Sequence, residues 1–215
     1  MKKLIKRPAH NIFHFFIITI IVWLSFTCTA YAWLVYSKPE FRGRIIDAET
    51  KEPIEGVVVV VVYYDHTIVG GPGGGGTSVI KAKETLTDKK GDFHFPAYTT
   101  LMGPNSREDN ARFIIFKPGY MSGGHASAPG PYSAEKFFST DVIGKEGVLL
   151  DDTFPNTKPW KGILGVVELT RAKTCEERSK GQPDRPTNYS SKKIPLLFKA
   201  VNQDRKECGW EGEVK

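Results

Sequence analysis

The sequence predicts a mainly β fold, a sandwich of six or seven strands, and three observations carry that prediction. Residues 41–65, FRGRIIDAETKEPIEGVVVVVVYYD, read as strand, turn, strand, with six consecutive valines at positions 57–62. Short apolar runs recur at 92–95, 111–117, 147–150 and 161–170, most of them bounded by Gly, Pro, Asp or Asn. The period changes to helical spacing in the C-terminal part, after residue 170.

The N-terminal end is a targeting segment. Lys2, Lys3, Lys6 and Arg7 lie in the first 32 residues, which contain no acidic residue. An apolar run from 12 to 26 follows, and Ala30-Tyr31-Ala32 places small residues at the two positions a signal peptidase reads, so cleavage is expected after Ala32. An uncleaved anchor over residues 12–36 is the competing reading, with Trp33 and Tyr36 at the interface. Either way the domain faces out of the cytoplasm, periplasmic, secreted or anchored, and membrane contact is limited to this segment if it is retained. Cys28 lacks the large aliphatic residue that lipid attachment wants three positions earlier, where Ser25 stands. Without this segment the formal charge of +6 shrinks to 26 basic against 24 acidic residues, mixed in sign, which disfavours nucleic-acid binding.

Residues 40–170 form the expected sandwich. Residues 37–40 read as a linker and 41–47 as the first strand. The turn to residue 55 is polar, with Pro53 in it. The second strand, 56–65, holds the valines, whose branched Cβ suits a pleated buried surface. A run without a polar face predicts that both faces are covered. In the glycine-rich stretch 69–77, Gly71 and Gly76 have the separation of a phosphate-binding loop. Thr77 stands where the lysine belongs and a strand follows where a helix is needed, so this is a connecting loop. A third strand spans 78–87, Gly91 supplies the next turn, and the fourth strand, 92–95, sets Phe93 and Phe95 against His94. Residues 96–110 read as a polar loop, 111–117 as the fifth strand and 121–132 as a second flexible loop. Residues 133–138 fit one helical turn or a short strand.

Residues 171–215 form a helical extension. Residues 174–180 suit a short helix. From 191 to 208 the apolar residues Ile194, Leu197, Phe198 and Val201 fall at i, i+3, i+4 and i+7, one face of an amphipathic helix. Pro195 fits its first turn and Gly209 its end. The helix is expected to pack on the sandwich and to supply the second cover of the valine strand. If the signal is cleaved, Cys175 and Cys208 remain in an oxidising compartment, where one disulfide or two separate thiols are the alternatives.

Chemistry is sparsely written. No His-x-x-Glu, His-Glu-x-x-His or paired-cysteine spacing occurs, so no metal or cofactor is expected. His66, His94 and His125 are separate loop or edge residues that make a hydrolase only if they converge in space. Asp151-Asp152 reads as a solvated turn. Tyr63, Tyr64 and Glu84 make a candidate ligand face, since stacking aromatics are what a sugar site needs. The loops at 66–77 and 121–132 are its alternative location.

Gly43-Arg44-Ile45-Ile46-Asp47, Pro53-Ile54-Glu55-Gly56-Val57, Thr87-Asp88-x-x-Gly91-Asp92-Phe93 and Lys117-Pro118-Gly119-Tyr120, as an ordered set, resemble the carboxypeptidase regulatory-like domain. The resemblance covers residues 41–120 and implies a transthyretin-like, prealbumin-type Greek-key sandwich, a pattern shared with carbohydrate-binding-like folds. The whole chain also resembles bacterial exported proteins that keep the DAETKEPIEG, ETLTDKKGDF and PLLFKAVNQDRKECG segments. The resemblance implies fold and compartment and no substrate. The zinc-binding His-x-x-Glu of the neighbouring peptidase domain is absent, and so is the C-terminal Tyr-Arg-Gly-Ser of transthyretin-like hydroxyisourate hydrolases. The expectation is a non-catalytic exported module binding a protein or envelope glycan partner.

Overall fold

The computed structural model describes residues 17–22, 35–67, 75–103, 105–121, 134–139, 157–160, 163–183 and 191–214. The fold is mainly β. Ten strands are described: β1 (Val35–Lys38), β2 (Phe41–Asp47), β3 (Val58–Thr67), β4 (Gly76–Leu86), β5 (Asp92–Phe95), β6 (Tyr98–Leu101), β7 (Ser106–Glu108), β8 (Arg112–Phe116), β9 (Thr157–Trp160) and β10 (Ile163–Leu169). Helices α1 (Ala134–Phe138), α2 (Cys175–Lys180) and α3 (Pro195–Glu207) accompany them, and residues 17–22 are helical. Among the described residues no helix is long and apolar enough to cross a membrane.

One sheet has the order β5-β2-β10-β9, in which β2 and β10 run parallel and the other pairs antiparallel. In the other, β3 has β4 on one side and β8 followed by β7 on the other, all antiparallel to it. β1 and β6 form a separate antiparallel pair.

Side chains alternate across a strand, so the valine run serves two cores. Val57, Val59, Val61 and Tyr63 enter the cluster shared with Phe41, Ile45, Phe93, Phe113, Phe138, Val167 and Leu169. Val58, Val60 and Val62 enter a second cluster with Phe116 and, from the C-terminal segment, Ile194, Leu197, Phe198, Ala200 and Val201. That second cluster is the physical reason the strand has no polar face.

Gly43 and Gly165 make room for α1. A Cβ on Gly43 would sit 2.6 Å from the Phe93 ring and 2.8 Å from the Phe138 ring, and one on Gly165 would meet Phe137 and Phe138. The helical turn at 134–138 thus drops two phenylalanines onto β2 and β10.

The structure corrects several expectations. Residues 37–40 are not simply a linker, because β1 includes Ser37 and Lys38 and pairs Val35–Lys38 with Tyr98–Leu101. Tyr36 is fully buried against Tyr63 and Tyr98, so an anchor cannot run to Tyr36 with that ring at a membrane interface. The loop at 96–110 contains β6 and β7, and β9 had no sequence counterpart. Cleavage after Ala32, the 147–150 strand, Asp151-Asp152, His125 and most of both glycine-rich loops lie outside the described residues.

Candidate functional site

The three residues of the candidate ligand face do not share a face. Tyr63 points into the first core and is fully buried, its hydroxyl without a hydrogen-bond partner. Burial, followed by Tyr98 and Glu135, pushes its phenol well above the usual range. Tyr64 lies on the opposite side of β3, half-buried beside the second core, with the Arg112 guanidinium 4.5 Å from its ring centre. Glu84 accepts from the Leu196 and Leu197 amides at 2.7 and 3.1 Å. It supplies a cap that Ile194 cannot, since the first amides of a helix need an acceptor and that residue has no polar side chain. Reading Tyr63, Tyr64 and Glu84 as one sugar-facing surface is therefore corrected.

His66 and His94 are on different sheets. His94 Nε2 lies 3.4 Å from Glu40 at the first sheet's β5 edge. His66 Nδ1 is 3.4 Å from the Thr77 hydroxyl, which donates to Asp109 at 3.4 Å. A Ser–His–Asp arrangement needs the imidazole between hydroxyl and carboxylate. Here the hydroxyl is in the middle, so Asp109 does not orient His66 for proton abstraction. Ser78 donates to Asp65 beside it. Among the described residues no group of His, Cys, Asp and Glu is arranged to hold a metal.

Two buried carboxylates stitch the framework. Asp47 accepts from the Glu49 and Thr50 amides at 2.9 and 3.1 Å, from Arg171 at 2.9 Å and from the Tyr120 hydroxyl at 3.2 Å. The Arg171 hydrogen bond, against the cost of burial and with help from those amides and Tyr120, holds its carboxyl at about 2. The ionised form therefore stabilises the fold above the ordinary carboxylate value of 3.8, and this contribution is lost as the pH falls through about 2. Acid unfolding followed by circular dichroism should show this component, and Asp47→Asn should remove it. An unchanged acid profile in that variant would contradict the role assigned to Asp47. Asp204, 1% exposed on α3, accepts from the Gly119 amide and Gln182 at 2.9 Å each and from Arg178 at 3.3 Å. Cys175 and Cys208 are disulfide-bonded, joining α2 to the end of α3.

The polar cluster that sequence reading missed lies where β1, β3 and β6 meet. The rings of Tyr36, Tyr63 and Tyr98 pack together with centroids 4.5–6.2 Å apart. Lys38, 3% exposed, pairs with Glu108 at 2.6 Å and Glu135 at 2.9 Å, and Glu135 also accepts from the Ala111 amide at 2.5 Å. Burial, then Glu135 and Glu108, pushes the Tyr36 phenol far up, so it stays neutral and gives up no proton near neutrality. Lys38 is thereby committed to internal carboxylates.

Lys83 is not. Its ammonium lies 4.6 Å from the Tyr98 ring centre and 5.8 Å from that of Tyr63, and burial followed by the charge of Lys81 lowers its pKa. Among the described residues neither Lys81 nor Lys83 forms a salt bridge. Both sit on β4, which among the described residues pairs with β3 on one side only. Such an edge leaves backbone hydrogen-bonding groups and two ammonium charges without a strand or carboxylate partner among the described residues. The alternation Ile80-Lys81-Ala82-Lys83 was the available sequence signal. Comparison of the chain with family models, with curated proteins and with solved structures finds no match.

Proposed function

We propose that this chain is an exported, non-catalytic β-sandwich module that binds a partner protein of the cell envelope. The observation that carries the reading is the open edge of β4, with Lys81 and Lys83 lacking any carboxylate partner among the described residues. The buried charged groups Asp47, Asp204 and Lys38, and the part-buried Glu84, are by contrast each engaged by internal partners. The ordered motif set at 41–120 supports a transthyretin-like Greek-key identity for the sandwich, and the basic, apolar, Ala-Tyr-Ala segment supports export. A protein partner is preferred to a glycan because Tyr63 is buried and Tyr64 is covered by Arg112, leaving neither ring free to stack on a sugar.

The test is chemical cross-linking of the full chain in isolated envelopes, read by mass spectrometry. A discrete set of cross-linked proteins is expected. Absence of any cross-link above a non-binding control, together with hits on a glycan array, would replace this reading with carbohydrate binding.

A further inference from the structure

We infer that the outer edge of β4 takes an extended segment of the partner protein as an added strand, one with acidic side chains at alternate positions. This rests on the reading of the chain as a protein-binding module. β4 is eleven residues long, whereas the edge strands β5 and β9 have four each. An edge strand turns half of its N–H and C=O groups away from its neighbour, and a peptide in extended conformation satisfies them.

Register and charge choose the occupant. The irregularity in the β3–β4 ladder falls between Tyr63 and Tyr64, so residues 81–86 of β4 pair in unbroken register with residues 58–63 of β3. Within that stretch Lys81 and Lys83 lie opposite Tyr63 and Val61, the residues that face the first core, and so project to the same side. Successive side chains on one side of a strand are two residues apart, which is also the spacing of alternate residues in an added strand. Carboxylates there would meet both ammonium groups. On the other side Glu84 is occupied at the start of α3, while Leu86 is 47% exposed and available for an apolar contact.

A second copy of the chain fits poorly. Antiparallel pairing of two β4 strands centred on Ala82 sets Lys81 of one copy against Lys83 of the other, and like charges directly opposite are destabilising. Lysines on an edge are a known defence against self-pairing. The same two charges that repel a copy attract an acidic strand.

The probe is a peptide of about eight residues alternating glutamate and threonine, enough to span the regular stretch, titrated into the full chain with hydrogen-exchange readout. Expected are protection of amides in β4 and, for K81E/K83E, binding weaker by at least about tenfold. The matching peptide of lysine and threonine should bind wild type poorly and the reversed variant better. The same acidic peptide N-methylated at alternate residues keeps its charge and loses its backbone donors, and it should not bind. Equal binding of the methylated peptide, protection elsewhere than β4, or salt-sensitive binding unaffected by K81E/K83E would overturn strand addition. So would a stable dimer of the wild-type chain whose interface protects β4. Circular dichroism and thermal melting of K81E/K83E establish that it is folded. Envelope cross-links retained in full by that variant would overturn the edge and leave the binding reading standing, whereas no cross-links from wild type would overturn the binding reading itself.

Discussion

Leu197→Ala is expected to destabilise the protein by about 2–5 kcal/mol, the cost of deleting a buried leucine where the surroundings collapse only partly. Leu197 is fully buried, and its cluster joins α3 to Val58, Val60, Val62 and Phe116 on the outer side of β3. The loss should be measured by chemical denaturation with the slope unchanged, since the surface exposed on unfolding hardly differs. A chain ending at residue 190 goes further, because Ile194, Leu197, Phe198, Ala200 and Val201 all leave together. At about 1.5–3 kcal/mol for each large apolar side chain, the missing burial approaches the whole stability of an ordinary domain. That chain should bind an apolar dye and aggregate through its uncovered valines. A truncated chain as stable and monomeric as the full one would show that α3 is an appendage.

Reduction of the Cys175–Cys208 bond, or the pair C175S and C208S, is expected to cost about 3–4 kcal/mol on the chain-entropy account, given the separation of 33 residues. Arg178 bonds to Asp204 at 3.3 Å and to Glu207 at 2.8 Å, and Gln182 bonds to Asp204, so α2 and α3 keep contacts when the bond is open. The observed loss should therefore appear first as exchange of α2 amides, ahead of β3. Identical melting of the oxidised and reduced full chain would contradict a stabilising role for the bond.

These two results concern the part of the fold most legible in the sequence. Six valines in a row demand two apolar partners, and the spacing of Ile194, Leu197, Phe198 and Val201 advertises one apolar helix face. β2, β5, β8 and β10 were readable for similar reasons, because aromatic and branched residues stand between turn residues. The missed strands carry weaker signals. β1 reads Val-Tyr-Ser-Lys, and its buried lysine is paid for by Glu108 and Glu135, distant residues that no local pattern reveals. β6 and β7 are short and rich in Ser, Thr and charge, so nothing in them separates strand from loop.

The candidate site was less legible for the same reason. Two adjacent tyrosines at the end of an apolar run offer a ligand face in sequence, yet the fold sends Tyr63 inward and leaves Tyr64 beside Arg112. Glu84 looked like a ligand residue because its capping partners, Leu196 and Leu197, lie more than a hundred residues away. Lys81 and Lys83 gain their meaning from what is absent around them among the described residues, an adjoining strand and a carboxylate.

Asp204 and the part-buried Glu84 serve the framework, and the proposed binding falls to the outer edge of β4. The direct measurement compares thermal stability with envelope cross-linking for D204N, E84Q and K81E/K83E, each at a temperature where it is folded. Expected are lower melting temperatures for D204N and E84Q with wild-type cross-links, and lost cross-links for K81E/K83E with little change in melting. Lost cross-links in D204N and E84Q at unchanged melting temperature, with K81E/K83E behaving as wild type, would contradict this division of roles.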